Sequence, residues 1–212
     1  MADAARKLGV AAAVGACLAF FSRTSAAQGE QAAPAPTFPD EVEDDQPTRN
    51  VLAFLAMIRS AEGTADVNGY RALFGHTARR PRLFESFADH PRIATQFTDK
   101  AGRRLYTSAA GAYQFMARSS VPGGGSTRVD TWGEVQRKMS LPDFSPASQD
   151  AGAIELIRQA GALADVRAGR FDVAVRKCAG RWASLPGAGY DQPERTIAAV
   201  TAAYRAAGGT FA

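Results

Sequence analysis

The sequence contains little cysteine and little histidine. Only two of its 212 residues are cysteines, Cys17 and Cys178, and this is too few for a disulfide framework. The two histidines, His76 and His90, do not form an HExxH arrangement, and the sequence has no CxxC pair. We therefore expect no structural metal ion, and we expect no cofactor.

The sequence also lacks an apolar run long enough to cross a bilayer comfortably as a permanent helix. The uncharged residues 8–21 are too few and too rich in alanine and glycine. Two basic residues precede this run and small residues follow it, which is typical of a secretory signal cleaved after Ala27. We expect residues 1–27 to be a signal peptide or a releasable signal-anchor, with residues 8–21 touching the inner membrane transiently and the protein reaching the periplasm. A lipoprotein signal ending at Cys17 and a buried alanine-rich helix remain alternatives.

Residues 28–49 have few of the apolar side chains that a packed core needs. They are rich in alanine and proline, and five of the six residues from 40 to 45 are acidic. This composition predicts a flexible linker, followed by a single domain at residues 50–212.

The positive charge is concentrated in that domain. Residues 50–212 carry 21 basic and 14 acidic side chains, whereas residues 1–49 carry 4 and 7. A basic domain suits a polyanion such as nucleic acid, a membrane surface or a cell wall, although charge alone does not choose among them. No nucleic-acid-binding motif or aromatic platform is present, so we expect no nucleic-acid partner. The sequence is silent on oligomeric state, and we expect a monomer.

Hydrophobic spacing predicts one helix, then a small β region, then a helical body, which is an α+β layout. Asn50 is predicted to cap the first helix and Gly63 to end it. Glycines and prolines within residues 67–107 predict short strands and turns. Further helices are predicted in segments 111–120, 145–162, 172–185 and 192–209. The glycine-rich residues 119–130 lack the ending of a phosphate-binding loop and are predicted to form a surface loop.

The first helix ends on a carboxylate, Glu62, immediately before Gly63. The carbonyl end of a helix disfavours an ionised carboxylate, and partial burial would raise the pKa of Glu62 further. A glutamic acid that stays protonated near neutral pH can act as the general acid of glycoside cleavage. The alternative, which the helix taken alone favours, is a solvent-exposed glutamate paired with Arg59.

Five short motifs follow one another along the domain. They are "AEGT" at 61–64, "FADHPR" at 87–92, "SAAGAYQF" at 108–115, "FSPASQDA" at 144–151 and "WASLPGAGYDQ" at 182–192. Together they resemble the lambda-type phage endolysins, which are lytic transglycosylases with a lysozyme-like fold. The resemblance extends from about residue 50 to the carboxyl terminus.

The resemblance implies that Glu62 is the catalytic acid and base of peptidoglycan cleavage. It also implies six residues in or close to the saccharide groove: Tyr113, Gln114, Tyr190, Gln192, Asp89 and His90. Core packing is an equal alternative for Tyr113, and we expect Trp182 and Cys178 to lie in the core. Ala61 replaces a serine that is familiar in the family, which leaves hydroxyl support for Glu62 in question.

The same resemblance implies cleavage between N-acetylmuramic acid and N-acetylglucosamine, with 1,6-anhydro products, for host-cell lysis. Hydrolytic glycosidases usually need a second carboxylate, and only Glu85 and Asp89 are near in the predicted β region. A lytic transglycosylase needs Glu62 alone. Two alternatives remain: a hydrolytic muramidase that uses water and Asp89, and a non-catalytic module that binds the wall.

Overall fold

A computed structural model of the chain describes residues 45–189 and 193–212. Within these residues there are six α-helices and one pair of strands. In chain order they are α1 Gln46–Glu62, β1 Thr95–Thr98, β2 Arg104–Thr107, α2 Thr131–Met139, α3 Pro146–Gln159, α4 Leu163–Arg167, α5 Phe171–Cys178 and α6 Ile197–Ala206. The predicted α+β fold is confirmed.

Helix α1 begins earlier than the sequence predicts. Asp45 is the N-cap, and its side chain accepts a hydrogen bond from the Thr48 amide at 2.8 Å. Pro47 lies in the first turn, where the missing amide hydrogen costs nothing. The prediction that Asn50 caps the helix is therefore wrong, and residues 46–49 are helical.

Asn50 instead connects three parts of the domain. Its side chain is buried, accepts hydrogen bonds from the backbone and hydroxyl of Thr210, and donates to the carbonyl of Arg167. Helix α1 packs against α4 and α6 on this side. Phe54 of α1 lies 6.2 Å from the Phe171 ring, centroid to centroid, so aromatic packing fills the space beneath these helices.

The predicted β region is mostly turns. Strands β1 and β2 form one antiparallel hairpin in which Thr95 pairs with Thr107 and Thr98 with Arg104. Elsewhere in residues 67–107 the described strand pairing is limited to isolated bridges, such as Ala72 with Leu83, and Gly69–Arg71 form a short 3-10 helix. The glycines and prolines that suggested strand ends therefore mark turns.

Residues 111–120 do not form the predicted helix. Gly111 has a φ of 76° and Gln114 a φ of 49°, and neither fits a right-handed helix. The Gln149 side chain also lies so close that a Cβ at Gly111 would collide with it. Contact with α3 thus overrides the local helical pattern.

The helical body agrees with the prediction in part. Ser145 caps α3 and Pro146 starts it, as predicted. Helix α5 ends at Cys178, so the predicted extension to residue 185 is wrong, and α6 begins after Thr196 rather than at 192. Helices α2 and α4 were not predicted.

The amino-terminal predictions fall outside the described residues, which begin at 45. These are the signal or anchor at 1–27, membrane contact through 8–21 and most of the linker. No helix within residues 45–189 and 193–212 is long and apolar enough to cross a bilayer.

Candidate active site

The carboxyl end of α1 is built by a local turn. Gly63 takes a left-handed conformation with a φ of 76°, and its amide bonds to the carbonyl of Ser60. The Thr64 amide bonds to the carbonyl of Arg59 at 2.9 Å. The helix therefore stops at Gly63, as predicted, and leaves Glu62 in its last position.

Glu62 is half-buried, and few polar groups compensate its charge. Burial raises the pKa of Glu62 above its ordinary value. Two weaker effects act against burial: the Ser184 hydroxyl donates to Oε1 at 2.7 Å, and the positive charge of Arg195 lies nearby. The net effect favours the protonated acid.

The alternative pairing of Glu62 with Arg59 does not occur. The Arg59 guanidinium lies 4.8 Å from the centroid of the Tyr70 ring and donates to the Tyr70 hydroxyl at 3.3 Å. That hydroxyl in turn donates to Asp150 at 2.8 Å. Arg59 is thus held on the α3 side of the helix.

Glu62 lines an open cleft of about 410 Å³. Tyr113, Gln114, Ser184 and Arg181 also line the cleft. Phe74 and Phe97, whose ring centroids are 5.5 Å apart, form part of its apolar surface. A cleft lined by aromatic rings and a few polar groups is typical of a ligand-binding site.

The structure brings Tyr113 and Gln114 into the cleft beside Glu62, as the resemblance implies. Tyr113 is also a core residue, since only 2% of its surface is exposed. Its hydroxyl donates to Asp150 at 2.6 Å, and burial raises the pKa of Tyr113 above its ordinary range. The Gln114 side chain donates to the carbonyl of Gly111 at 3.0 Å. Tyr113 therefore packs in the core and also lines the cleft, and its contact with a saccharide stays a prediction.

Asp89 and His90 do not line the cleft. His90 is buried and its Nε2 lies 2.9 Å from the carbonyl oxygen of Phe115; burial lowers the pKa of His90 to about 4. Asp89 pairs with Arg92 and accepts a bond from the Trp132 indole at 3.4 Å. The structure thus places these two residues between the turn region and α2, outside the lining of the cleft.

The remaining predicted residues divide into two groups. Tyr190 and Gln192 lie outside the described residues. Trp182 is buried and its indole donates to the carbonyl of Tyr113 at 3.2 Å, which confirms its place in the core. Cys178 is a buried free thiol, as predicted, and burial raises its pKa to about 12.

Sequence reasoning missed three residues near the cleft. Ser184 lies within the "WASLPGAGYDQ" motif, but no local pattern indicated that it reaches Glu62, 122 residues earlier. Arg195 donates through Nε to the carbonyl of Ala61 at 3.1 Å, and its amide bonds to the carbonyl of Ser184. His76 lines the cleft, with Nε2 at 2.8 Å from Asp66. Ser184 supplies the hydroxyl that Ala61 lacks.

A half-buried glutamate at a helix end, in an open groove between a small β region and a helical body, defines the lysozyme-like class of glycosidases. The solved structures agree with this class. Lysozyme from bacteriophage lambda in complex with a chitohexasaccharide matches with a TM-score of 0.64 at 32% identity, covering 77% of this chain and 97% of that one. A second structure of the lambda lysozyme matches with a TM-score of 0.61 over the same shares.

Sequence comparisons identify the family. The endolysin family profile matches residues 52–211. The endolysin of Escherichia phage P2 is 37% identical over 170 residues, covering 76% of this chain and 94% of that protein. The endolysin of Escherichia phage lambda is 35% identical over 164 residues, covering 74% and 90%. The chain belongs to the endolysin family and is a lysozyme-like enzyme that degrades the bacterial cell wall.

Proposed function

We propose that this endolysin is a lytic transglycosylase. It cleaves the β-1,4 bond between N-acetylmuramic acid and N-acetylglucosamine in peptidoglycan and forms 1,6-anhydromuramic ends. The observation that carries the proposal is the composition of the cleft. Among the described residues that line it, Glu62 is the single carboxylate. Hydrolytic glycosidases commonly use two carboxyl groups, one on each side of the scissile bond.

The surroundings of Glu62 suit its first role as a general acid. Burial favours the protonated form, so the acid can donate to the glycosidic oxygen as the bond to C1 breaks. The Ser184 hydroxyl, 2.7 Å from Oε1, holds the carboxyl group in one orientation.

The second role uses the same group as a base. Ionised Glu62 takes the proton from the muramic C6 hydroxyl while that oxygen bonds to C1. Ser184 and Arg195 stabilise the carboxylate between the two steps. Each proton given to the leaving sugar is recovered from C6, so Glu62 ends protonated and no water is consumed.

Mass spectrometry of released muropeptides tests the proposal. Purified peptidoglycan is digested with the full-length protein, and we expect disaccharide peptides one water lighter than hydrolysis products. Free reducing ends would contradict the transglycosylase mechanism and indicate a hydrolytic muramidase. The Asp89→Asn variant is the matched control, because Asp89 lies outside the cleft and its loss should leave the products unchanged.

Host-cell lysis from within requires the enzyme to reach the wall. We expect residues 1–27 to direct export across the inner membrane. Intact-mass analysis of the protein recovered from the periplasm tests this expectation. A mature chain that begins at residue 28 would support a cleaved signal, and a full-length chain in the membrane fraction would support a releasable anchor. A chain found only in the cytosol would contradict both.

A further inference from the structure

A second cavity adjoins the cleft. It has a volume of about 520 Å³ and lies between β2 and the loop of residues 117–129. Phe97 and Met116 line both the cleft and this side cavity, so the two spaces meet at these side chains. A ligand bound beside Glu62 can therefore extend into the side cavity.

The loop wall of the side cavity is held by its own hydrogen bonds. The amide of Thr127 donates to the carbonyl of Ser119 at 2.8 Å, and the amide of Ser119 donates to the Thr127 hydroxyl at 2.9 Å. That hydroxyl donates to the carbonyl of Ala117 at 3.0 Å. These bonds fix the base of the loop, so the cavity is largely formed before any ligand arrives.

The lining of the side cavity combines unpaired positive charge with exposed apolar surface. Arg104 and Arg128 are both exposed, and neither guanidinium pairs with another of the described residues. Nearby Arg103 differs, because it bonds to Asp99 at 2.7 Å. Leu105 is 39% exposed and Val129 is 49% exposed. No described carboxylate lines the cavity.

We propose that the side cavity binds the acidic peptide stem carried by a muramic acid residue in the cleft. This proposal rests on the proposed function and specifies its substrate as peptide-bearing glycan. The stem contains carboxylates, which complement Arg104 and Arg128, and small apolar side chains, which complement Leu105 and Val129. Arginine suits carboxylates because its guanidinium donates two parallel hydrogen bonds.

The first test compares two substrates that differ only in the stem. Soluble glycan strands are used with their peptides and after an amidase has removed them. The Arg104→Gln/Arg128→Gln variant should cleave peptide-bearing strands about fivefold less efficiently than the wild type, as expected for the loss of two exposed ion pairs. Its efficiency on stripped strands should match the wild type.

The matched control is Arg79→Gln/Arg176→Gln. It removes the same charge from exposed arginines that line neither cavity. It should cleave both substrates as the wild type does. An equal loss on both substrates in the Arg104→Gln/Arg128→Gln variant, or no loss on either, would overturn the proposal.

A binding measurement separates this proposal from the proposed function. An isolated stem tetrapeptide is titrated into the full-length protein, and the methyl resonances of Leu105 and Val129 are followed by NMR. Shifts that disappear in the Arg104→Gln/Arg128→Gln variant support the side cavity even if no glycan is cleaved. Unchanged resonances would overturn it even if anhydro products are found.

Discussion

Glu62 is half-buried and Glu155 is buried. Both are helical glutamates, but their surroundings differ. Glu155 of α3 receives two bonds from Arg158 at 2.7 Å and one from Lys138 at 3.0 Å. These partners, Arg158 foremost, lower the pKa of Glu155 to about 2. Glu62 has one hydroxyl at its carboxyl group, and burial raises its pKa.

The comparison shows that the charged and polar partners of a shielded carboxyl group decide whether it is ionised or keeps its proton. A carboxylate surrounded by cations stays ionised, links helices α2 and α3, and has no proton to give. A carboxyl group with few compensating partners keeps its proton and remains available for transfer. Glu62 is thus less well stabilised than Glu155, and this makes it the reactive group.

The largest expected effect comes from Glu62→Gln. Removing a general acid and base should lower the rate of muropeptide release by about 10³-fold, because proton transfer to the leaving oxygen is lost. Rates are measured on purified peptidoglycan by chromatography of soluble products. Glu155→Gln is the control and should stay within about twofold of the wild type below its melting temperature. Undiminished release by Glu62→Gln would refute the assignment.

The same variant should be more stable than the wild type at neutral pH. Because folding raises the pKa of Glu62, the native state holds its proton more tightly than the unfolded chain does. The wild type therefore loses stability as pH rises above about 4.5, until the native pKa is passed. Melting temperatures recorded against pH should show that the difference between Glu62→Gln and the wild type grows over that pH range.

Glu155→Gln should have the opposite effect on stability. The lowered pKa of Glu155 means that its ionised form stabilises the native state. Because Arg158 and Lys138 are exposed to solvent, we expect this stabilisation to amount to about 1–2 kcal/mol of unfolding free energy. This contribution is present above pH 4.5 and is lost as pH falls towards 2. Urea denaturation of both proteins across that range measures it, and a difference that persisted at pH 2 would rule out the ionic explanation.

Ser184→Ala should shift the pH profile of activity. Without the hydroxyl, ionised Glu62 loses a donor, so its pKa rises and the alkaline limb of kcat/KM moves up by about one pH unit. Ser184→Thr keeps the hydroxyl, so its alkaline limb should lie at the same pH as that of the wild type. A loss of activity with an unmoved limb would assign Ser184 a purely structural role.

The smallest expected effect belongs to Arg195→Gln. Its positive charge also favours ionised Glu62, but Arg195 is exposed and solvent screens it. The alkaline limb should move in the same direction as for Ser184→Ala, by a few tenths of a pH unit. The shift should disappear in high salt, whereas that of Ser184→Ala should persist; equal salt dependence would contradict this distinction.

Much of the fold could be predicted where local chemistry decides it. The apolar stripe of α1, its end at Gly63 and the start of α3 at Ser145 were all predicted correctly. Prediction was wrong where long-range contacts decide the backbone. Residues 111–120 have a helical pattern, yet Gly111 adopts a left-handed φ of 76° and lies against Gln149 of α3, where a Cβ would collide.

The candidate site divides in the same way. The sequence by itself determined that a helix ends on Glu62, because a left-handed glycine and the preceding apolar periodicity are local properties. It could not show that Ser184 and Arg195 reach that helix end, or that Asp89 and His90 lie elsewhere. Ser184 and Arg195 reach the helix end from more than 100 residues away, and Asp89 and His90 are held by contacts with residues 43 and 25 positions later. Only the tertiary structure decided these placements, because they depend on how distant segments pack together.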